Sequence, residues 1–408
     1  MSLRQQIEQE IRQRGPIPFS RYMQLCLYDP SHGYYSRNAQ QFGKAGDFYT
    51  SSDVHAVFGR LLARQFDEIW QALDRPAAIE ILELGPGRGF FARDLLDWSR
   101  KKFPNFFAAQ TYTLQESSPA LRAKLEEILR EHLDSGRAHV GADAFVRPAE
   151  RSSADALVWG RAPSPVQAER SSAPAGVYRT LTPEAPLIVF ANEFFDALPV
   201  EILSPHGKLH LALDDHRLRE IWLPPLPEEL DYLDRYGVHP EANERIEIFI
   251  QAQHWMLQIA RSIERGVLAV VDYGYTRNQQ LAGRHRGTLL AYQNHSASPD
   301  PYQAPGEQDL TAHVNFTALA AACEQAGMQV EKLRTQAQFL MGIGETTQFA
   351  DAFEDCRILQ ERAKVALQLK HLVTPIGMGE TFQVLIANRG IDAKKIAALS
   401  GLNFGISS

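Results

Sequence analysis

The stretch that most restricts the fold is Ile79-Glu80-Ile81-Leu82-Glu83-Leu84-Gly85-Pro86-Gly87-Arg88-Gly89, followed by Phe90, Phe91, Leu95 and Leu96 at helical spacing. The apolar run reads as a buried strand and the pattern behind it as an amphipathic helix. Three glycines between them permit left-handed torsions and close approach of a ligand to the main chain, while the helix start offers unpaired N–H groups. This order predicts an α/β fold with a mostly parallel sheet and a small-molecule cradle at the strand's carboxyl end.

The glycines are spaced G-x-G-x-G, unlike the G-x-G-x-x-G turn that seats a dinucleotide pyrophosphate. Glu83, two residues before the first glycine, would repel a phosphate but suits a cofactor that carries an ammonium group. S-adenosylmethionine is such a cofactor. A second strand, Thr111 to Gln115, ends at Glu116, an acid placed to accept both hydroxyls of a ribose, and Ser118 and Pro119 start the next helix. A third strand from Ala138 to Val140 leads to Asp143, a candidate beside the adenine.

The 408 residues allow a large core plus an insertion or second lobe. A net charge of -7 argues against a broad charge-driven nucleic-acid surface and is compatible with a cationic protein substrate. Cys26, Cys323 and Cys356 lie far apart, so neither a disulfide framework nor a cysteine metal site is expected. Met1 to Gln13 reads as an amphipathic helix, and no apolar run is long enough to span a membrane. A cytoplasmic bacterial protein is expected, because no transit segment precedes the first element.

Ser20 is expected to cap a helix over Arg21 to Leu27, before Tyr28-Asp29-Pro30. The Gly43 to Ser52 loop could fold over the cofactor as a lid, with Phe48 or Tyr49 against a sulfonium cation. Alternatively Tyr34, Tyr35, Phe48 and Tyr49 are anchors packed on the core. Ser52 would cap the helix that runs through Val57, Leu61, Leu62, Phe66 and Ile69. We expect an N-terminal helical and lid segment over 1–70 and a Rossmann-like domain over 71–408. The latter carries a low-complexity insertion at 147–180, where Ala-Glu-Arg-Ser-Ser-Ala occurs twice, and an antiparallel meander within 200–245.

Leu187 to Ala191 is another apolar strand, and it ends at Asn192-Glu193-Phe194-Phe195-Asp196. Two acids and an amide at a strand end are poorly explained by burial alone. Gly266 is expected to end a helix, and Val267 to Val271 to form a core strand that stops at Asp272. His313 is a possible general base, and Asn315 a cap for the helix to Ala326. Met328 to Thr335 and Thr381 to Asn388 supply the closing strands.

Together Gly46 to Ser51, Glu83 to Gly89, Asn192 to Pro199, Asp272 to Gly274 and Asp309 to Phe316 resemble the family of S-adenosylmethionine-dependent methyltransferases that includes the mitochondrial complex I assembly factor and its bacterial relatives. The resemblance runs from about Gly15 to Asn388. It implies a class I, seven-stranded, Rossmann-like fold with an N-terminal helical lid and a small antiparallel β insertion. For the mitochondrial member it implies dimethylation of an arginine in a complex I core subunit. The cofactor motif falls on Glu83, Gly85, Gly87 and Gly89, the ribose acid on Glu116, the lid on Phe48 and Thr50, and the post-strand signature on Asn192, Glu193 and Asp196. Ser52 and Asp53 replace the Pro-Glu that usually closes the lid pattern.

Methyl transfer from a sulfonium needs no metal, only alignment and exclusion of water. For an arginine acceptor, carboxylates must hold the guanidinium and accept its proton, a role we expect for Glu193 and Asp196 with Asp47 or Asp272 in reserve. The competing readings are a cofactor-binding assembly chaperone without methyl transfer, a small-molecule O- or N-methyltransferase using His313, and an NAD-dependent oxidoreductase.

Overall fold

A computed structural model describes residues 1–37, 56–141, 184–215, 217–283, 286–293, 296–298 and 300–405. The path through its nine-stranded main sheet among the described residues takes, in chain order, β1 (Ile79–Leu84), β2 (Gln110–Gln115), β3 (Ala138–Gly141), β4 (Leu187–Asn192), β5 (Gly266–Tyr275), β6 (Gln329–Val330) and β7 (Phe382–Arg389). Across the sheet they lie in the order β3-β2-β1-β4-β5-β7-β6. Strands β1 to β5 are parallel, and β7 is antiparallel to both β5 and β6. Two further two-residue strands, Val314–Asn315 and Arg334–Thr335, flank β5 and β7 and bring the sheet to nine.

The parallel strands are apolar because both faces are covered, and alternate residues feed different cores. Leu82, Leu84, Val189, Ala191, Leu268 and Val270 point into a core shared with Leu3, Ile7, Phe19 and Tyr22. Ile79, Ile81, Ile188, Phe190, Val267 and Ala269 point the other way, against Phe58, Leu61, Phe66 and Phe91. The first 37 residues therefore pack on one face and the Ala56–Ala72 helix on the other.

A five-stranded antiparallel sheet flanks this body. It contains the expected hairpins Glu201–Ser204, Gly207–Asp214 and Arg217–Leu223, joined by Ile246–Ile248 and by Ile17–Pro18 from the chain start. Ser20 does not cap its helix. The helix spans Phe19–Tyr28 with Pro18 at the cap position, and the Ser20 hydroxyl donates to Glu201 Oε1 at 2.6 Å, pinning the helix to the small sheet. Gly266 opens β5 and does not close a helix. A Cβ there would stand 1.8 Å from the Leu187 carbonyl oxygen, so glycine lets β5 register against β4. Strand β5 continues through Asp272 to Tyr275, because Gly274 and Tyr275 find partners in Val314 and Asn315. The Asn315 cap is present, its side chain accepting from the Ala318 N–H at 3.1 Å.

The order in which strands are added reverses between β1 and β4, from which successive strands extend to opposite edges of the sheet. In an open α/β sheet that reversal opens a crevice at the carboxyl ends. The glycine turn and the Asn192–Glu193 loop both emerge there.

Candidate active site

Each glycine of the turn answers a different demand. Gly85 (φ +62°) donates its N–H to the Gln115 carbonyl at 3.0 Å and lies so close to Phe194 that a Cβ would come within 3.0 Å of the ring. Gly89 (φ +82°) stands at the N-cap of the Phe90–Lys102 helix, where a Cβ would meet Leu125 at 2.5 Å. Among the described residues, no atom lies within 4 Å of such a Cβ at Gly87 (φ +56°). The first and last glycines fit the protein to itself, whereas the middle one has no such neighbour among the described residues.

Acids frame the turn. Glu83, in β1, is buried and accepts from the Tyr112 hydroxyl at 2.8 Å, and burial pushes its carboxyl up to about 8. Glu116, just past β2, accepts from the Ser118 N–H at 2.9 Å and is faced by the N–H groups of Gly87 and Ser117. Burial pushes it up to about 7 against those donors. Ser118 caps the Pro119–Ile128 helix as expected. An acid fastened to the middle glycine, beside backbone that a Cβ would not crowd, fits a cofactor with hydroxyls to be accepted. A second buried acid suits an ammonium group. Asp143, Phe48 and Thr50, with Asp47, Tyr49 and Ser52, lie outside the described residues, as does the 147–180 insertion.

The second constellation is held from below by Asp272. Its Oδ2 accepts from the N–H groups of Phe194 (3.3 Å), Phe195 (3.0 Å) and Asp196 (3.3 Å), and its Oδ1 from that of Tyr273 (2.9 Å). Asp272 is therefore a loop anchor, fully buried, and not a reserve proton acceptor. Burial and the neighbouring charges of Asp196 and Glu193 raise its carboxyl well above the usual range. Glu193 adopts φ +51°, a left-handed conformation costly for a side-chain-bearing residue. Its N–H bonds the Val271 carbonyl at 2.9 Å, and Asn192 Nδ2 donates to its Oε1 at 3.1 Å. Asp196 accepts from the Tyr273 hydroxyl, and burial pushes its carboxyl up to about 6. Phe194, lying over Gly85, joins this loop to the glycine turn.

The chain thus brings Glu83, Gly85, Gly87, Gly89, Glu116, Asn192, Glu193 and Asp196 to one edge of the sheet. It also brings Tyr28, to which sequence reasoning assigned no role there, together with Tyr34 and Tyr35, read as core anchors, and His313, read as a general base. The Tyr28 hydroxyl donates to the Ala197 carbonyl at 3.0 Å, and that of Tyr35 to Asp309 Oδ1 at 2.9 Å. Tyr34 is a core anchor, fully buried. His313 lies edge-on to Tyr273 with ring centres 5.2 Å apart. For Asp309, which opens the short Asp309–Thr311 strand, the available signal was its place at the head of the Asp309 to Phe316 stretch; for Tyr28, read as part of a helix stop, there was none.

A family model described as S-adenosyl-L-methionine-dependent methyltransferase matches residues 61–334, which contain both constellations. The mitochondrial protein arginine methyltransferase NDUFAF7 of Danio rerio is 28% identical over 403 residues, covering 94% of this chain and 86% of that protein. Its Homo sapiens counterpart is 26% identical over 388 residues, covering 91% and 80%. A crystal structure of a Burkholderia thailandensis protein bound to S-adenosyl-homocysteine superposes with a TM-score of 0.74 at 27% identity, covering 98% of this chain and 94% of that one. The chain belongs to the S-adenosyl-L-methionine-dependent methyltransferase family, and its cofactor is S-adenosylmethionine.

Proposed function

We propose that this enzyme methylates arginine on a protein substrate, with a respiratory complex I subunit as the target that the family resemblance implies. The observation that carries the reading is the pair of acids Glu193 and Asp196 on a loop that Asp272 clamps beside the glycine turn. Relatives named as protein arginine methyltransferases support it. Placement in a bacterial cytoplasm, a seven-stranded class I topology, and a lid role for the segment 1–70 belong to the same proposal.

When bound, the cofactor supplies an electrophilic methyl group on a sulfonium, held by Glu83, Gly85, Gly87, Gly89 and Glu116. The rest falls to the chain's own groups. A guanidinium has no basic lone pair and keeps its proton to a pKa above about 12. Glu193 and Asp196 hold it by paired charge-assisted hydrogen bonds and localise its positive charge away from the reacting nitrogen. The proton released is taken by Asp196, whose raised affinity for protons makes it the better base of an ordinary carboxylate's kind. Tyr28 and Phe194 help wall this corner from water.

Glu193→Gln and Asp196→Asn each remove one acid and preserve shape. We expect each to lower kcat for protein methylation at least about 100-fold, with cofactor affinity unchanged within a few-fold by calorimetry. Near-normal turnover by both variants would discard the acid-pair chemistry.

A further inference from the structure

Only one oxygen of the Asp196 carboxyl takes a well-formed hydrogen bond among the described residues. The hydroxyl of Tyr273 serves Oδ2, whereas Oδ1 meets no well-aligned donor among the described residues, the Ala197 N–H lying near the carboxyl, although the residue is only 3% exposed. A buried carboxylate oxygen left without a well-aligned donor is costly, and it marks a place where a ligand supplies one.

A second buried carboxylate shares neighbours with Asp196. Asp309, 4% exposed, is joined to Asp196 by a closed path of contacts. The Tyr35 hydroxyl donates to Asp309, the ring of Tyr35 lies 5.5 Å from that of Tyr28, and the Tyr28 hydroxyl donates to Ala197, next to Asp196. The path returns through the Ala312 N–H, which donates to the Asp196 carbonyl at 3.2 Å, three residues beyond Asp309. Tyr292 is paired directly across from Asp309 in the Leu290–Gln293 strand. Tyr28, Tyr35 and Tyr292 each feel the charges of both acids, so the two carboxylates lie about one group of phenols. Burial, with the charges of both acids, raises the phenols of Tyr28 and Tyr35, so both remain protonated donors.

We propose that Asp196 and Asp309 together form the subsite for the cationic end of the acceptor, with Tyr35 fixing Asp309 so that the N-terminal segment completes the acceptor site. The inference rests on the reading that a cationic side chain is methylated, and it adds two residues to that reading. Carboxylates within aromatic walls select a cation over a neutral isostere, because both the charge and the ring faces favour it. Asp309 touches the acceptor, whereas Tyr35 acts through Asp309 as a positioning residue.

The test is calorimetric titration of the full-length protein, saturated with S-adenosylhomocysteine, with arginine amide, lysine amide and the neutral citrulline amide. Wild type is expected to bind arginine amide at least tenfold more tightly than citrulline amide. Asp309→Asn should abolish most of that preference and Tyr35→Phe weaken it severalfold, each keeping S-adenosylhomocysteine affinity within threefold. If Asp309→Asn loses S-adenosylhomocysteine binding through general damage, Tyr35→Phe decides, since it removes one hydroxyl only. Full preference retained in Tyr35→Phe, or in an intact Asp309→Asn, overturns the subsite, and so does a wild type indifferent to charge. Preference for lysine amide over arginine amide keeps the subsite and discards arginine as the acceptor. Methylarginine formed on a protein by an enzyme without this Asp309 dependence discards the subsite and keeps arginine.

Discussion

Asp196 and Glu83 are both buried acids near the cofactor turn, yet their raised proton affinities have opposite uses. Asp196 must be ionised in the free enzyme to engage a cation, and burial puts its carboxyl at about 6. Protonation therefore removes activity from the acid side. We expect kcat/KM, which reports the free enzyme, to fall about tenfold per pH unit below about pH 6, and Asp196→Asn to lack that limb in its residual rate. Glu83 is pushed up to about 8, far above its unfolded value near 4.5. A group whose folded pKa is raised contributes stability that is fully present below the unfolded value and is lost as pH rises through the folded one. The ligand-free protein should accordingly lose at least about 1 kcal/mol between pH 5 and pH 8. Glu83→Gln should flatten that loss in thermal unfolding while weakening S-adenosylhomocysteine binding at least tenfold. Strong cofactor binding by Glu83→Gln would show that the ammonium group lies elsewhere.

The glycine turn separates architecture from ligand binding within a single element. A methyl group at Gly89 must displace Leu125 and adopt a left-handed torsion, so Gly89→Ala should cost about 2 kcal/mol or more of stability. At Gly87 no described residue makes such a clash. Gly87→Ala should cost only the torsional strain, about 1 kcal/mol, yet reduce cofactor affinity at least tenfold. Urea unfolding and calorimetry on the two variants check the split, and equal effects in both assays would contradict it. Much of this element was legible because its signals are local: an apolar run of strand length, positive-φ residues and a Ser-Pro helix start in the next unit. Gly266 was misread for the same reason. Its neighbour is the Leu187 carbonyl, some eighty positions away, and nothing adjacent in the chain announces it. Asp272 was legible as a strand-end acid, but three of its four backbone donors come from a loop that reaches it only in the folded sheet, the fourth being its neighbour Tyr273.

At the scale of the molecule, the sheet order follows from parallel apolar runs that need both faces covered. Less could be read of what covers them. Residues 1–37 and Ala56–Ala72 are close in sequence but pack on opposite faces, and Ile17–Pro18 pairs with Gly207–Asp214, a partnership without a periodic signature. That arrangement carries Tyr28 and Tyr35 over the sheet's carboxyl edge, against the loops of β4 and the Asp309–Thr311 strand. The acceptor corner is thus assembled from parts of the chain nearly 300 residues apart, which explains why the cofactor half was the more readable. The central claim is that this fold transfers methyl groups to arginine on a protein. Its most direct test is incubation of the enzyme with isotopically labelled S-adenosylmethionine and a lysate of its source organism lacking the gene, followed by acid hydrolysis and methyl-amino-acid analysis. We predict labelled methylarginine in one protein band, absent with Gly87→Val and strongly reduced with Glu193→Gln or Asp196→Asn. Label confined to small metabolites, or cofactor binding with no label transferred at all, would contradict it.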